Sequence, residues 1–431
     1  MKMTITSRKI ALTLRIWLIL LPMKNIIIEA LSIGRRKVIN KATTSMTGLI
    51  FSARPWLLPD PATASNDSAD GRNTVNPSYI SYQIIPDGSK KLNPTLKPIS
   101  SSDLSKIFSM AKSKNGGALW LGEHHNSAMD HDLQANFICC VHDERNKGGD
   151  PKMAVGLEMV QVQFQPVLDA YVSGQITSEE MRRRVEWDKR WSWPFENYLN
   201  VFETCRELNI PLIALNVDSE DLGLVETGGF PALHREQIQK YIIDPSGFAE
   251  FAKTRYYKTY VDYVISPSYD LHKELGILRT TITGQRLEED MPFTRFFSGR
   301  ILWDEGMASN AYKWSMSNPG GLIIGLVGAD HVKFEGGITG RYKRLANGQY
   351  DSISVILNPT LIDTRPSGSV SMATNSAASA VGDGASQISL QLRYLKEGVD
   401  MGTLESRKPE STAGVLPLAD YIVLSQSPRE V

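Results

Sequence analysis

Short unbroken apolar runs, separated by longer stretches of helical period, constrain this chain more than any other feature. Ala118 to Leu121, Met153 to Met159, Leu212 to Leu215 and Leu322 to Val327 are each four to seven residues long and continuous rather than alternating. Strands buried on both faces read this way, and they belong to parallel sheets covered by helices. An amphipathic stretch, Ala128 to Glu144, separates the first pair; Phe164 to Val172, Ser178 to Val185 and Phe195 to Leu208 separate the second. This β-α-β-α order predicts an α/β fold, a mostly parallel central sheet flanked by helices. Asp218 to Asn318 is too long for one crossover; it reads as helical throughout, with breaks at Pro231, Pro245, Pro267 and Pro292, and is expected to form a helical insert or cap. A fifth strand is expected at Ser352 to Leu357.

Around this domain, placed at residues 103–360 with its insert at about 218–318, the chain changes character. Residues 1–64 hold ten Lys/Arg and two acids, Glu29 and Asp60. Arg8 and Lys9 precede an apolar run, Ala11 to Leu21, too short to span a bilayer and closed by Pro22. Arg35-Arg36 then stands ahead of the modestly apolar Met46 to Phe51, with a small-residue cleavage pattern at Ala62-Thr63-Ala64. Two signals in series suggest two membranes in series, as in leaders that reach the thylakoid lumen of a plastid through a transit peptide and a twin-arginine signal. A single basic mitochondrial or secretory leader is the other reading. Residues 65–102, rich in Asn, Ser, Asp, Pro and Gly, are expected to be an extended linker, with a helix to follow from Asp103 to about Lys114. Residues 361–431 are expected to be a largely flexible tail in which Tyr421 to Leu424 could return to the sheet edge as a strand.

Charge and cysteine usage exclude several classes. Lys+Arg and Asp+Glu each total 47, so beyond residue 64 the chain carries 37 basic against 45 acidic residues, net −8, which argues against a nucleic-acid partner. Three cysteines, Cys139, Cys140 and Cys205, give neither a disulfide framework nor a C-x-x-C metal spacing. The sequence has no glycine-rich phosphate loop and no Gly-x-Ser-x-Gly elbow.

The ionisable residues fall where a parallel sheet places its site, at the carboxyl ends of strands. The first strand runs into Gly122-Glu123-His124-His125-Asn126, the second carries Glu158, the third ends at Asn216, and the fourth runs into Gly328-Ala329-Asp330-His331. Glu123, His125, Glu158 and His331 therefore read as catalytic or metal-ligating candidates, because carboxylates and neutral imidazoles suit zinc, manganese or iron as well as acid–base work. His131 and Gln134, on the following helix, read either as outer partners of that set or as part of a solvated helix face. Asn216 is expected to turn the chain, and Asp304 either reaches the site or, as the leading expectation, makes a surface salt bridge.

The segments LGEHHNSAMDHDLQANF (Leu121 to Phe137), GLEM (Gly156 to Met159), the Trp187, Trp191 and Tyr198 stretch, LIALN (Leu212 to Asn216), WDEGMA (Trp303 to Ala308) and GLVGADHVKFEGGITGRY (Gly325 to Tyr342) resemble the ChaN-like family of haem-binding uptake proteins in the Tiki superfamily. Order and spacing match across roughly residues 101–360. The superfamily's two Gly-x-x-His motifs fall on Gly122 to His125 and Gly328 to His331, with Glu123 and Glu158 as the accompanying glutamates. His124 fills a variable slot, Asn126 stands where an acid is common, and the serine-rich tail lies outside the family pattern. The resemblance implies an α/β core that binds haem or handles iron, with hydrolases among more distant relatives.

Haem needs a broad apolar surface and an axial His, Tyr, Cys or Met. Tyr256, Tyr260 and Tyr263 recur at spacings of four and three on one helix face, with His272 nearby, and are the candidate haem-binding residues. Packing of these tyrosines against the sheet is the plain alternative. The leading expectation is thus a protein for haem or a related tetrapyrrole, serving iron or pigment economy in a plastid compartment. Its rivals are a metal-dependent hydrolase using Glu123, His125, Glu158 and His331, and a scaffold with a degenerate site whose acidic surface binds a protein. No membrane span is expected in the mature part, and whether two chains form a homodimer around the cofactor is left open by the sequence.

Overall fold

The computed structural model describes residues 115–147, 149, 152–359 and 418–425, together with the backbone of two strands at 79–85 and 95–99. The basic leader with its twin arginine, the helix expected at 103–114 and most of the serine-rich tail lie outside the described residues.

The strands are β1 (Tyr79–Ile85), β2 (Thr95–Ile99), β3 (Gly117–Glu123), β4 (Met153–Gln161), β5 (Leu212–Asn216), β6 (Leu322–Gly328), β7 (Asp351–Leu357) and β8 (Tyr421–Ser425). They form one sheet in the order β2-β1-β8-β7-β3-β6-β4-β5. The six strands from β8 to β5 run parallel, and β1 and β2 extend the sheet antiparallel. The sheet is therefore mostly parallel, as the apolar runs imply.

Two features depart from the sequence reading. The stretch taken as an extended linker contributes β1 and β2, and β8 enters the sheet between β7 and β1 rather than capping an edge. β8 is fixed by side chains as well as by its ladder: Asp420 accepts from the Ser354 N–H and hydroxyl at 2.8 Å, and the Asn358 N–H donates to Val423 O at 2.7 Å.

The helices that build the site are α1 (Ala128–Lys147), α2 (Gln165–Val172), α3 (Leu199–Glu207), α4 (Ser219–Gly228), α5 (Arg255–Tyr260), α6 (Ser266–Glu274), α7 (Phe293–Ser317) and α8 (Ile338–Ala346). Strand periodicity sorts the side chains between two layers. Leu119, Leu121, Val155, Leu157, Ile324 and Leu326 face α1, α2 and α3 in one core. Ala118, Trp120, Ala154, Ile323 and Val327 face α7 and α8 in the other. Trp120 is fully buried because its neighbour in register is glycine: a Cβ on Gly325 would lie 2.3 Å from the indole.

The insert between β5 and β6 is mostly helical, as expected, but Pro267 does not break it. α5 runs through a π-helical turn, Val261–Ile265, into α6. Widening the helix just before the proline accommodates a ring that would clash with the preceding turn and a residue that lacks the N–H to bond it. Among the described residues no helix is long and apolar enough to cross a membrane.

Candidate functional site

Parity along the strands sends the two glutamates to opposite faces. Glu123 follows Leu119 and Leu121 toward α1, whereas Glu158 follows Ala154 toward α7. Two histidine–carboxylate clusters result, one on each side of the sheet's carboxyl edge.

On the α1 side Glu123 is the hub. It accepts from His125 Nδ1 at 2.8 Å and the Tyr198 hydroxyl at 2.7 Å on one oxygen, and from Gln134 Nε2 at 2.6 Å on the other. Burial alone would raise its pKa, but the hydrogen bonds and charges of His125 and His131 hold it well below the usual carboxylate range. His131 is fully buried, and both its ring nitrogens face acceptors: Nδ1 meets Gln134 Oε1 at 3.1 Å, and Nε2 meets the His125 carbonyl at 3.2 Å. An imidazole flanked by two acceptors is an imidazolium. Its pKa is accordingly raised, against the effect of burial, by Glu123. His131 is thus an outer partner of the site and not part of a solvated face. Tyr198, its ring centroid 3.9 Å from that of His131, stays protonated because burial and Glu123 push its hydroxyl well above 10.

His125 differs from both neighbours. Its Nδ1 faces the Glu123 carboxylate, so Nε2 points away from that acid, and its side chain is 21% exposed. Trp191 meets its ring edge-on at 5.0 Å, and Trp193 lies tilted at 5.9 Å; both indoles are half-buried. Gly328 makes room for the ring: a Cβ there would come within 2.9 Å of His125 Nε2 and 3.6 Å of Glu158 Oε2. The imidazole and the second glutamate therefore flank one point at the sheet edge.

On the α7 side His331 lies between two carboxylates, with Asp304 2.6 Å from Nδ1 and Glu158 3.1 Å from Nε2. Burial works against its charge, but Glu158 and Asp304 push its pKa up to about 10. Glu158 is held low, against burial, by the charge of His331, and it also accepts the Gly328 N–H at 2.6 Å. Asp304 is fully buried, which corrects the expectation of a surface salt bridge. The signal was present in the sequence: Asp304 and Glu305 sit together inside the apolar stretch Ile301 to Ala308. Glu305 is also fully buried, paired with Arg341 at 2.9 Å. Asn216 donates to Glu158 O at 2.7 Å and so ties β5 to β4; its side-chain oxygen is buried without a partner.

The four residues expected to share one metal ion are thus committed to two separate clusters. Among the described residues no group of three or more His, Cys, Asp or Glu side chains is placed to hold a metal ion. The single divalent centre of Glu123, His125, Glu158 and His331 is not the arrangement found.

The tyrosine stripe of the insert also falls differently. Tyr260 is buried, its Cβ against Gly336, and burial with the carboxylates of Asp304 and Asp330 raises its hydroxyl well above 10. Tyr263 meets Phe334 at 6.4 Å, and Tyr256 is half-buried beneath Arg255. These tyrosines brace the turn that follows His331, so Tyr260, one of the candidate haem-binding residues, packs in the core as the plain alternative has it. His272 is half-buried, with Nδ1 donating to Ser268 O at 2.7 Å, and burial together with Arg300 lowers its pKa to about 4.

With this geometry in hand, residues 109–341 match the model of a family described as haem-binding uptake, Tiki superfamily, ChaN. The chain belongs to this family. Both Gly-x-x-His exits, both glutamates and the helical insert lie within the ChaN match. Among solved structures, a ChaN of Campylobacter jejuni with cofacially bound haem is similar at 14% identity, covering 80% of this chain and 98% of that one, with a TM-score of 0.45. A Bacillus cereus protein is similar at 13% identity, covering 79% and 94%, TM-score 0.34. An erythromycin esterase mutant in its open conformation is similar at 15% identity, covering 64% and 76%, TM-score 0.34. No curated protein matches the sequence.

Proposed function

We propose that this ChaN-family chain binds haem, or a related tetrapyrrole, at the carboxyl edge of its sheet, with His125 as the axial ligand. The observation that carries the reading is the single orientation of that imidazole. Nδ1 is fixed on an anionic carboxylate, and Nε2 has no hydrogen bond among the described residues and lies beside two half-buried indoles. Metal-binding histidines are usually oriented this way, because the carboxylate fixes the tautomer and makes the distal nitrogen more basic. Trp191 and Trp193 supply apolar faces suited to a flat macrocycle. What haem brings is carried, redox-active iron; what the chain brings is an oriented base and aromatic walls. The family description supports haem as the ligand class.

Titration of the chain with haemin, followed by visible absorbance, tests this. Saturable binding at low micromolar haemin should be weakened at least about tenfold in His125→Ala and be unchanged in Tyr260→Phe. A titration that never saturates, or one indifferent to His125, counts against the reading.

A second reading rests on the point flanked by His125 and Glu158. A histidine oriented by Glu123 is also a general base for water, with no metal needed. Ester hydrolysis lost in His125→Ala, in protein that does not bind haemin, would favour it.

The leader supports placing this activity in a plastid, with the thylakoid lumen as the destination. A fluorescent fusion of residues 1–64 that stays outside plastids would remove that part of the proposal.

A further inference from the structure

Helix α7 carries a cation that the site described above does not use. The helix runs back along the sheet. Asp304 meets His331 at the carboxyl edge, whereas Ser315 bonds Tyr342, and the chain then enters the amino end of β6 through Gly321. The first turns of α7, from Phe293 to Trp303, therefore stand beyond the carboxyl edge, on the His331 side of it. Arg300 lies four residues before Asp304, one turn further out on the same face.

Its guanidinium is held in place by two aromatic rings. It sits 5.0 Å from the Phe296 ring centroid and 5.5 Å from that of Trp303, whose ring lies 6.0 Å from His331. Among the described residues Arg300 makes no ion pair. His272 Nε2, 3.4 Å from its Nη2, carries the lone pair, because Nδ1 donates to Ser268, and the lowered pKa of His272 keeps it neutral. Burial raises the pKa of Glu226, against the charge of Arg300, and a carboxylate oxygen of Glu226 accepts the Ile282 N–H at 2.6 Å. Arg182, Arg190, Arg341 and Arg344, elsewhere in the domain, are each paired with a carboxylate. A stacked, half-buried and unpaired guanidinium is pre-organised for an incoming carboxylate, since its planar fork loses little freedom on binding.

We infer that Arg300, held between Phe296 and Trp303 and steered by His272, binds a carboxylate arm of the ligand seated at the carboxyl edge. The inference rests on the tetrapyrrole reading and narrows it to macrocycles with free carboxylates. His272 thereby gains a role, as a positioning residue for Arg300 and not as a haem ligand.

The test compares haemin with haemin dimethyl ester, whose carboxylates are masked, in the same detergent buffer with the full chain. Arg300→Met keeps the unbranched stem on the two rings, and Arg300→Lys keeps the charge without the fork. The wild-type chain is expected to bind haemin about tenfold or more tightly than the ester. Arg300→Met should lower haemin affinity to that of the ester while leaving ester affinity unchanged, and Arg300→Lys should restore only part of the difference. Equal affinity of the wild-type chain for both compounds overturns the inference, as does an unchanged ratio in Arg300→Met. Equal weakening of both compounds in Arg300→Met makes Arg300 a packing residue and also overturns it. Absence of saturable binding of either compound to the wild-type chain removes the tetrapyrrole reading itself, and the inference with it.

Discussion

His125 and His331 occupy the same place in the same short motif, three residues after a glycine at the end of a parallel strand, yet the fold gives them opposite chemistry. His331 has a carboxylate on each nitrogen and is covered by α7. It is a buried cation locked into a strut. His125 has one hydrogen-bonded carboxylate, a second nitrogen with no hydrogen bond among the described residues, and a wall of half-buried tryptophans. The comparison teaches that a strand-exit histidine becomes available for ligand only where a loop covers it, here the one carrying Trp191 and Trp193. Where a helix covers it, a second acid completes the pair.

The comparison breaks most sharply at Asp304. Asp304→Ala leaves the buried His331 imidazolium with Glu158 alone and should cost about 3–5 kcal/mol of stability in a denaturant titration. A loss below about 1 kcal/mol would mean that the α7-side cluster is not a closed strut.

Titration of the same histidine comes next. His331 has a folded pKa near 10, above its ordinary value of 6.5, so its contribution is complete below pH 6.5 and is lost as pH rises through 10. Stability should fall across that window by on the order of 2–4 kcal/mol, and the fall should flatten in His331→Gln. At the acid end, Glu123 and Glu158 have lowered pKa values. Their contribution is present above the ordinary carboxylate range and is lost as pH falls through the folded values. A stability profile flat from pH 6.5 to 10 would contradict the assignment.

Glu123→Gln sharpens the other side. It leaves the buried His131 imidazolium without its anion and should cost about 2–3 kcal/mol, together with haemin affinity. The smallest stability effect belongs to His125. Being partly exposed and bonded on one side only, it should lose less than about 1 kcal/mol on His125→Ala while losing the haem spectrum. If His125→Ala unfolds the protein and Asp304→Ala does not, the two histidines have been assigned the wrong way round.

Much of this was legible in the chain. Leu119, Val155 and Ile324 lie in runs that only a doubly covered parallel strand would bury, and Gly122 to His125 and Gly328 to His331 mark strand exits because the glycines end apolar runs. Other elements were not. β1 and β2 come from a polar stretch whose pairing depends on β8, some 340 residues from β1 in sequence, and local composition carries no record of such a partner. Asp304 stands inside an apolar stretch that hints at burial, but only the structure shows its partner, His331, at 2.6 Å. The stripe of Tyr256, Tyr260 and Tyr263 was read correctly as one face, but periodicity does not say whether a face meets ligand or core.

The sequence by itself determined the class of fold, the edge of the sheet at which the chemistry gathers, and the family, because strand burial and motif spacing are local properties. Tertiary structure alone decided which histidine is closed between two acids and which acids become buried partners. Those outcomes depend on which helix or loop covers each strand end, and on electrostatic partners brought together from far apart in the chain.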